Sequence, residues 1–264
     1  MEKKINHSLN ALKVFAILAV IIMHCIQINQ MSKSFPITVG LMKFAVPIFF
    51  LISGFYSFYD DIQIANNKYK TRIIRLLKLI IFANLFYFIV TPDLHNLMSL
   101  NSIFNIKAIL ACLIVNLPLI SGHLWFLDAL LYCYILVFIL SKLKINLNKF
   151  YFMIPLLLVT NIILGEISNG LGIQIMYYWY RNFIFTGLPF FMIGYLIHDK
   201  LDIITEKFSN KSLLIYLLIS CCLIISETFF AETDLYIGTI FFSQCRQLKK
   251  FFMIFSMDFI IFSC

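Results

Sequence analysis

Residues 9–28 read LNALKVFAILAVIIMHCIQI, an apolar run of 20 residues that carries two ionisable side chains, Lys13 and His24. An α-helix needs about 20 mostly apolar residues to cross the ~30 Å hydrocarbon core of a bilayer, so this stretch reads as a membrane span. As a helix it sets Lys13 and His24 eleven positions apart, about 16.5 Å of rise and roughly 20° of net rotation, so the two share a face. Ionisable groups inside a span are costly and point to function by default. The plain alternatives are a Lys13 that snorkels to the inner headgroups and a His24 satisfied near the outer interface. Lys3 and Lys4 precede the run as in a signal peptide, yet His24 before Cys25 offers no small-residue cleavage site. The expectation is an uncleaved first span.

The rest of the chain agrees. Of its 264 residues 61% are hydrophobic and 13% charged, and the mean hydropathy is +0.91. Soluble domains carry about 25% charged residues, so this chain lacks the charge to cover a soluble surface. The same numbers exclude a disordered chain, a coiled coil and a secreted disulfide scaffold. The expected fold class is all-α: a polytopic transmembrane helix bundle of about seven spans, at residues 9–28, 41–59, 73–90, 124–140, 150–167, 182–197 and 212–225. To these are added a re-entrant or interfacial segment at 103–120 and an incomplete C-terminal span from 236. Lys107, Asn116 and Pro118 interrupt the 103–120 stretch.

Charge sets the parity. Lys and Arg collect in cytoplasmic loops. With the N-terminus inside and 103–120 not crossing, thirteen of the 21 Lys and Arg face inward and four lie at the outer side. If 103–120 crossed, every later loop would invert and the bias would nearly vanish. Non-helical backbone at membrane depth is tolerated only where protein buries it or a cavity is lined, which makes that segment a candidate site wall. The net charge of +8 therefore reports orientation, and no nucleic-acid partner is expected. Cys25, Cys112, Cys133, Cys221 and Cys222 sit in apolar stretches, and Cys245 and Cys264 in the C-terminal segment; none has metal-ligand spacing, and they read as small packing residues. No internal repeat or inverted pair of broken spans appears.

Chemistry-bearing residues cluster at the ends of the spans. Arg72 and Arg75 are three apart at the inner mouth of the third span and share a face. Their guanidinium forks match phosphate oxygens, although a pair of topological anchors would look the same. Pro47, Ser53 and Gly54 mark a kinked span made for close helix approach, and Pro189 and Gly194 mark a second. His123 and Trp125 follow the re-entrant segment, with Asp128 one turn on. Trp125 alone is an ordinary aromatic-belt residue. Glu166, Arg181 and Glu227 fall at outer ends. No Walker loop, nucleophile elbow, dinucleotide fingerprint or metal-binding pattern is present.

Together these segments resemble the integral-membrane acyltransferase family 3, which includes O-acetyltransferases of bacterial cell-surface polysaccharides, lipopolysaccharide and peptidoglycan. Lys13 and His24 hold the positions of its Arg, ten residues, His hallmark, with Lys in place of Arg. Pro47 to Gly54 looks like its PxFFxxSG stretch, and Arg72-Ile73-Ile74-Arg75 like its Arg-x-x-Arg. His123 to Leu127 and Leu188 to Tyr195 look like later signatures, in order. The resemblance covers about residues 8–240. It implies a membrane acyltransferase-like domain over 1–242, an atypical tail over 243–264, and a chain that stops before the family's last helices. It further implies transfer of an acetyl group from cytoplasmic acetyl-CoA to a hydroxyl of an envelope polysaccharide or its lipid-linked precursor. In that reading His24 and Lys13 are catalytic, Arg72 and Arg75 bind the donor, and His123, Trp125 and Glu166 lie on the acceptor side. Acetyl-CoA enters as a substrate, with no resident cofactor and no metal. The location implied is the bacterial cytoplasmic membrane, multi-pass, N-terminus inside. A flippase of envelope precursors and an inactive truncated remnant are the rival readings.

Overall fold

The computed structural model describes residues 7–28, 44–90, 106, 110, 116, 122–168, 171–173, 175–207, 211, 212, 215, 218 and 219. Most of segment 103–120, much of 212–225 and all of 243–264 lie outside them. Among the described residues every regular element is helical, in keeping with the all-α expectation. The chain runs through α1 (His7–Ile28), α2 (Ala45–Phe55), α3 (Ile62–Val90), α4 (Trp125–Lys142), α5 (Met153–Ile162), α6 (Leu188–Asp199) and α7 (Leu201–Lys207). A π-helical turn, Ile163–Ile167, extends α5, and another, Phe183–Gly187, leads into α6.

The centre of the bundle is the pair α2 and α6, which make the most extensive helix contact. Both are apolar around their whole circumference, as a core helix must be. Phe50, Ile48, Phe191, Met192 and Ile193 are among their fully buried side chains. Two glycines bring the backbones together: a Cβ at Gly54 would sit 1.8 Å from the Phe191 carbonyl oxygen, and one at Gly194 would sit 1.9 Å from that of Leu51. α1 lies on α2, α3 on α4, and α5 on α6.

The outer helices carry apolar residues on both faces. α1 buries Leu9, Leu12, Ala16 and Ala19 at helical spacing, yet Phe15 on its other side is 61% exposed. On α3, Phe82 is 68% and Ile89 70% exposed. Water would penalise such faces, whereas lipid tails accept them. Among the described residues α4 is long and apolar enough to cross a membrane by itself. Shorter apolar helices run over Leu9–Ile22, Ala45–Phe55, Met153–Gly165 and Phe183–Asp199.

One boundary differs from the sequence reading. Residues 60–72, read as a loop, are mostly helix, because α3 begins at Ile62. The Asp61 carboxylate accepts from the backbone N–H of Gln63 at 2.6 Å and of Ile64 at 3.3 Å, an N-cap of the usual kind. Its first turns are mostly exposed and bury only Ala65 and Tyr69, so the apolar signal there is weak.

Three chain connections meet at one end of the bundle. Tyr59, Asp60 and Tyr69 line a cleft of about 230 Å³ together with Lys144 and Asn146 from the α4–α5 connection and Tyr195 from α6. Asp199 at the end of α6 accepts from Asn148 Nδ2 at 3.3 Å, and the Tyr151 hydroxyl lies 3.2 Å from the same oxygen. These contacts bring the α2–α3 connection and the α4–α5 connection together at the end of α6.

Candidate functional site

Arg72 sits two to three turns into α3, half-buried, and reaches across to the end of α2. α2 stops at Phe55 and the chain turns through Tyr56, Ser57, Phe58 and Tyr59. The Arg72 guanidinium donates from Nη2 to the Tyr56 carbonyl at 2.7 Å and to the Tyr59 hydroxyl at 2.9 Å. From Nη1 it donates to Ser57 Oγ at 2.9 Å and to the Tyr134 hydroxyl of α4 at 3.4 Å. Its carbon lies 5.8 Å from the Tyr59 ring centre and 5.4 Å from that of Tyr134, within cation–π range.

The same turn is fastened twice more. Ser57, wholly buried, donates from Oγ to the Ser53 carbonyl at 2.6 Å. The Tyr69 hydroxyl donates to the Ser57 carbonyl at 2.5 Å. Burial pushes the Tyr69 hydroxyl up from its ordinary pKa, so it keeps the proton it donates. On the far side of α2, His198 Nδ1 lies 2.7 Å from the Phe55 carbonyl, and its ring stacks on Phe58.

Lys13 of α1 joins this group from the other flank. Its ammonium lies 4.9 Å from the centre of the Tyr56 ring, the residue whose carbonyl Arg72 holds. The structure thus brings Lys13 and Arg72 onto one residue. Arg75, one turn further along α3, is exposed and is not part of the cluster. His24 lies on α1 eleven residues beyond Lys13, about 16.5 Å along the axis. α1 is continuous between them; the His24 side chain lies outside the described residues.

The opposite end holds the residues read as the acceptor side. Trp125 begins α4, and its ring packs against Phe50 at 6.4 Å between centres. Asn116, 1% exposed, donates from Nδ2 to the Trp125 carbonyl at 2.7 Å. His123 falls in the short helical turn Gly122–Leu124 and Glu166 in the π turn after α5; their side chains lie outside the described residues. Near Glu166 in sequence is a buried amide knot. Asn161 Nδ2 bonds the Tyr180 and Phe185 carbonyls at 2.7 and 3.0 Å, while Asn182 Oδ1 accepts from the N–H groups of Ile184 and Phe185, both at 3.0 Å.

Sequence reasoning missed Tyr56, Ser57, Tyr59 and Tyr134 as partners of Arg72, and it missed Asn116, Asn161 and Asn182. The run of hydroxyls soon after Gly54, at the end of an apolar helix and sixteen residues or fewer before Arg72, was the available signal. Among the described residues no group of three or more His, Cys, Asp or Glu side chains comes together.

A search of curated proteins and a search of solved structures each gave no match. The profile of an acyltransferase domain, acyltransferase family 3, matches residues 6–260. That range takes in α1 with Lys13 and His24, the α2 turn, Arg72, and both ends of the bundle. The chain belongs to acyltransferase family 3, a family of membrane-associated acyltransferases.

Proposed function

We propose that this protein moves an acetyl group from cytoplasmic acetyl-CoA to a hydroxyl of a cell-envelope polysaccharide or its lipid-linked precursor. The observation that carries the reading is the meeting of Lys13 and Arg72 on Tyr56 at one end of the bundle, with exposed Arg75 beside them. A polyanionic nucleotide donor is attracted to such an end. α1 leads from there toward the opposite end, where Trp125 and Asn116 lie, so His24 stands between a donor end and an acceptor end. An imidazole can act as general base on a sugar hydroxyl or carry the acyl group briefly. The seven-span bundle in the bacterial cytoplasmic membrane, with the N-terminus inside, belongs to the same proposal.

Orientation is tested by single cysteines at Asn67 and Asn146 in a cysteine-free background. Both positions are exposed, and both should react with a membrane-impermeant maleimide only from the cytoplasmic face. Reaction from opposite faces would overturn the parity.

The function is tested by titrating purified protein with acetyl-CoA. Binding is expected, and Arg75→Ala should weaken it roughly 3- to 10-fold at low ionic strength, because an exposed ionic contact of this size is salt-screened. At high salt the two proteins should converge. A protein that transports a lipid-linked phosphate and does not bind acetyl-CoA would favour the flippase reading instead.

A further inference from the structure

We propose that Arg72 is a positioning residue, whose guanidinium holds the Tyr56–Tyr59 turn in place so that the Tyr56 ring seats the Lys13 ammonium. The four N–H bonds on its two terminal nitrogens point to the Tyr56 carbonyl, the Tyr59 hydroxyl, Ser57 Oγ and the Tyr134 hydroxyl. A phosphate gripped bidentately needs two such N–H groups on one edge of the fork, and Arg72 would have to give up bonds within the protein to supply them. Direct contact with the donor's phosphates then falls to the exposed Arg75.

What Arg72 does hold is specific. Tyr56 is the first residue after α2, and its backbone and its ring face different partners: Arg72 of α3 on the carbonyl at 2.7 Å, and Lys13 of α1 over the ring at 4.9 Å. Tyr69 fixes the next carbonyl along. Displacing the turn therefore moves the aromatic face on which Lys13 rests, even though Arg72 and Lys13 stand on different helices. Lysine in place of Arg72 would not serve, since an ammonium has no planar fork to span a carbonyl and three hydroxyls. The consequence for catalysis rests on the function proposed above; the link between Arg72 and Lys13 does not.

The test reads Lys13 directly. Purified protein in detergent, without any donor, is treated with limiting acetic anhydride, and acylation of each lysine is measured by mass spectrometry. Exposed Lys68 and Lys70 serve as internal references. Tyr56→Leu should raise Lys13 labelling about threefold or more, within the roughly 2- to 30-fold that a cation–π contact commands. Arg72→Gln and Arg72→Lys should each raise it similarly, Arg75→Gln should leave it unchanged, and Arg72→Gln with Tyr56→Leu should add nothing to either single change. If Arg72→Gln does not fold, the milder pair Tyr59→Phe with Tyr134→Phe removes two of the four acceptors and should raise labelling in part. Unchanged Lys13 labelling in the folded Arg72 variants or in the tyrosine pair overturns the proposal. So does an additive double variant, or an equal rise in Arg75→Gln, either of which would mark general loosening. Because no acyl-CoA is present, a protein that proved not to be an acetyltransferase would still give a readable answer.

Discussion

Gly54→Ala is expected to destabilise the bundle by about 3 kcal/mol or more, at the top of the range for overpacking a core. The added methyl would lie 1.8 Å from the Phe191 carbonyl oxygen, 2.7 Å from its carbon and 3.0 Å from its Cα. All three atoms are backbone, so no side-chain rotation relieves the collision and the two central helices must separate. Separation would also loosen the close backbone contacts on which helix pairs in membranes depend, since lipid tails offer no hydrophobic drive to bring helices together. Gly194→Ala should cost a similar amount, its methyl falling 1.9 Å from the Leu51 carbonyl oxygen and 2.8 Å from the Phe55 nitrogen. Once either change has pushed the helices apart the second costs less, so the pair should be less than additive. Gly122→Ala is the control, since a Cβ there meets nothing within 4 Å. Thermal unfolding in detergent, followed by size-exclusion fluorescence, reads all four proteins. A Gly54→Ala protein that melts with the parent would show that the α2–α6 crossing is not what holds the bundle together.

That crossing marks how far the sequence can be read. Ser53 and Gly54 signal close helix approach on their own, and so does Gly194, because small residues between bulky apolar ones have few other uses in a span. That Gly54 meets Phe191, and Gly194 meets Leu51, is a matter of register between helices more than a hundred residues apart, which no local pattern encodes. The start of α3 is hidden for a different reason. Its first turns are mostly exposed and their buried stripe is only Ala65 and Tyr69, so the start rests on the single cap Asp61. At the site, Arg72 is legible through its spacing from Arg75, which sets two guanidinium groups on one face of a helix. Its partners are not, because hydroxyl-bearing tyrosines at span ends are ordinary interface residues and the chain has 13 tyrosines. Only the fold selects Tyr56, Tyr59 and Tyr134 from among them. The buried amides Asn161 and Asn182 are similar cases: Asn161 serves the Tyr180 and Phe185 carbonyls and Asn182 caps the first N–H groups of the Phe183–Gly187 turn, and no local pattern announces those partners.

The largest effect on activity is expected from His24→Ala. α1 is an unbroken helix from His7 to Ile28, so His24 is carried rigidly about 16.5 Å from Lys13, on the same face and toward the end of the bundle where Trp125 lies. Lys13 is seated at the opposite end, on the ring of Tyr56. In the proposed function His24 meets an acyl group from the donor and a hydroxyl of the acceptor. A neutral imidazole can take a hydroxyl proton as a general base. Loss of a general base lowers the rate on the order of 10²–10⁴-fold, and loss of an acyl carrier lowers it further. His24→Ala should therefore remove most acetylation of envelope glycans while membrane abundance stays unchanged, since a histidine replaced by alanine within an apolar span makes the span easier to insert. His123→Ala, measured at equal abundance, should reduce acetylation far less, because its place in the turn before α4 suits contact with the acceptor and lies off the path along α1. Lys13→Arg supplies the bidentate fork of the family hallmark in the same place and should retain or raise activity, whereas Lys13→Leu, which strips the charge from the donor end, should lower it. Mass spectrometry of glycan acetyl content in a strain lacking the chromosomal copy decides among the four variants. Full acetylation with alanine at position 24 would remove His24 from the transfer step and leave His123 as the histidine to pursue.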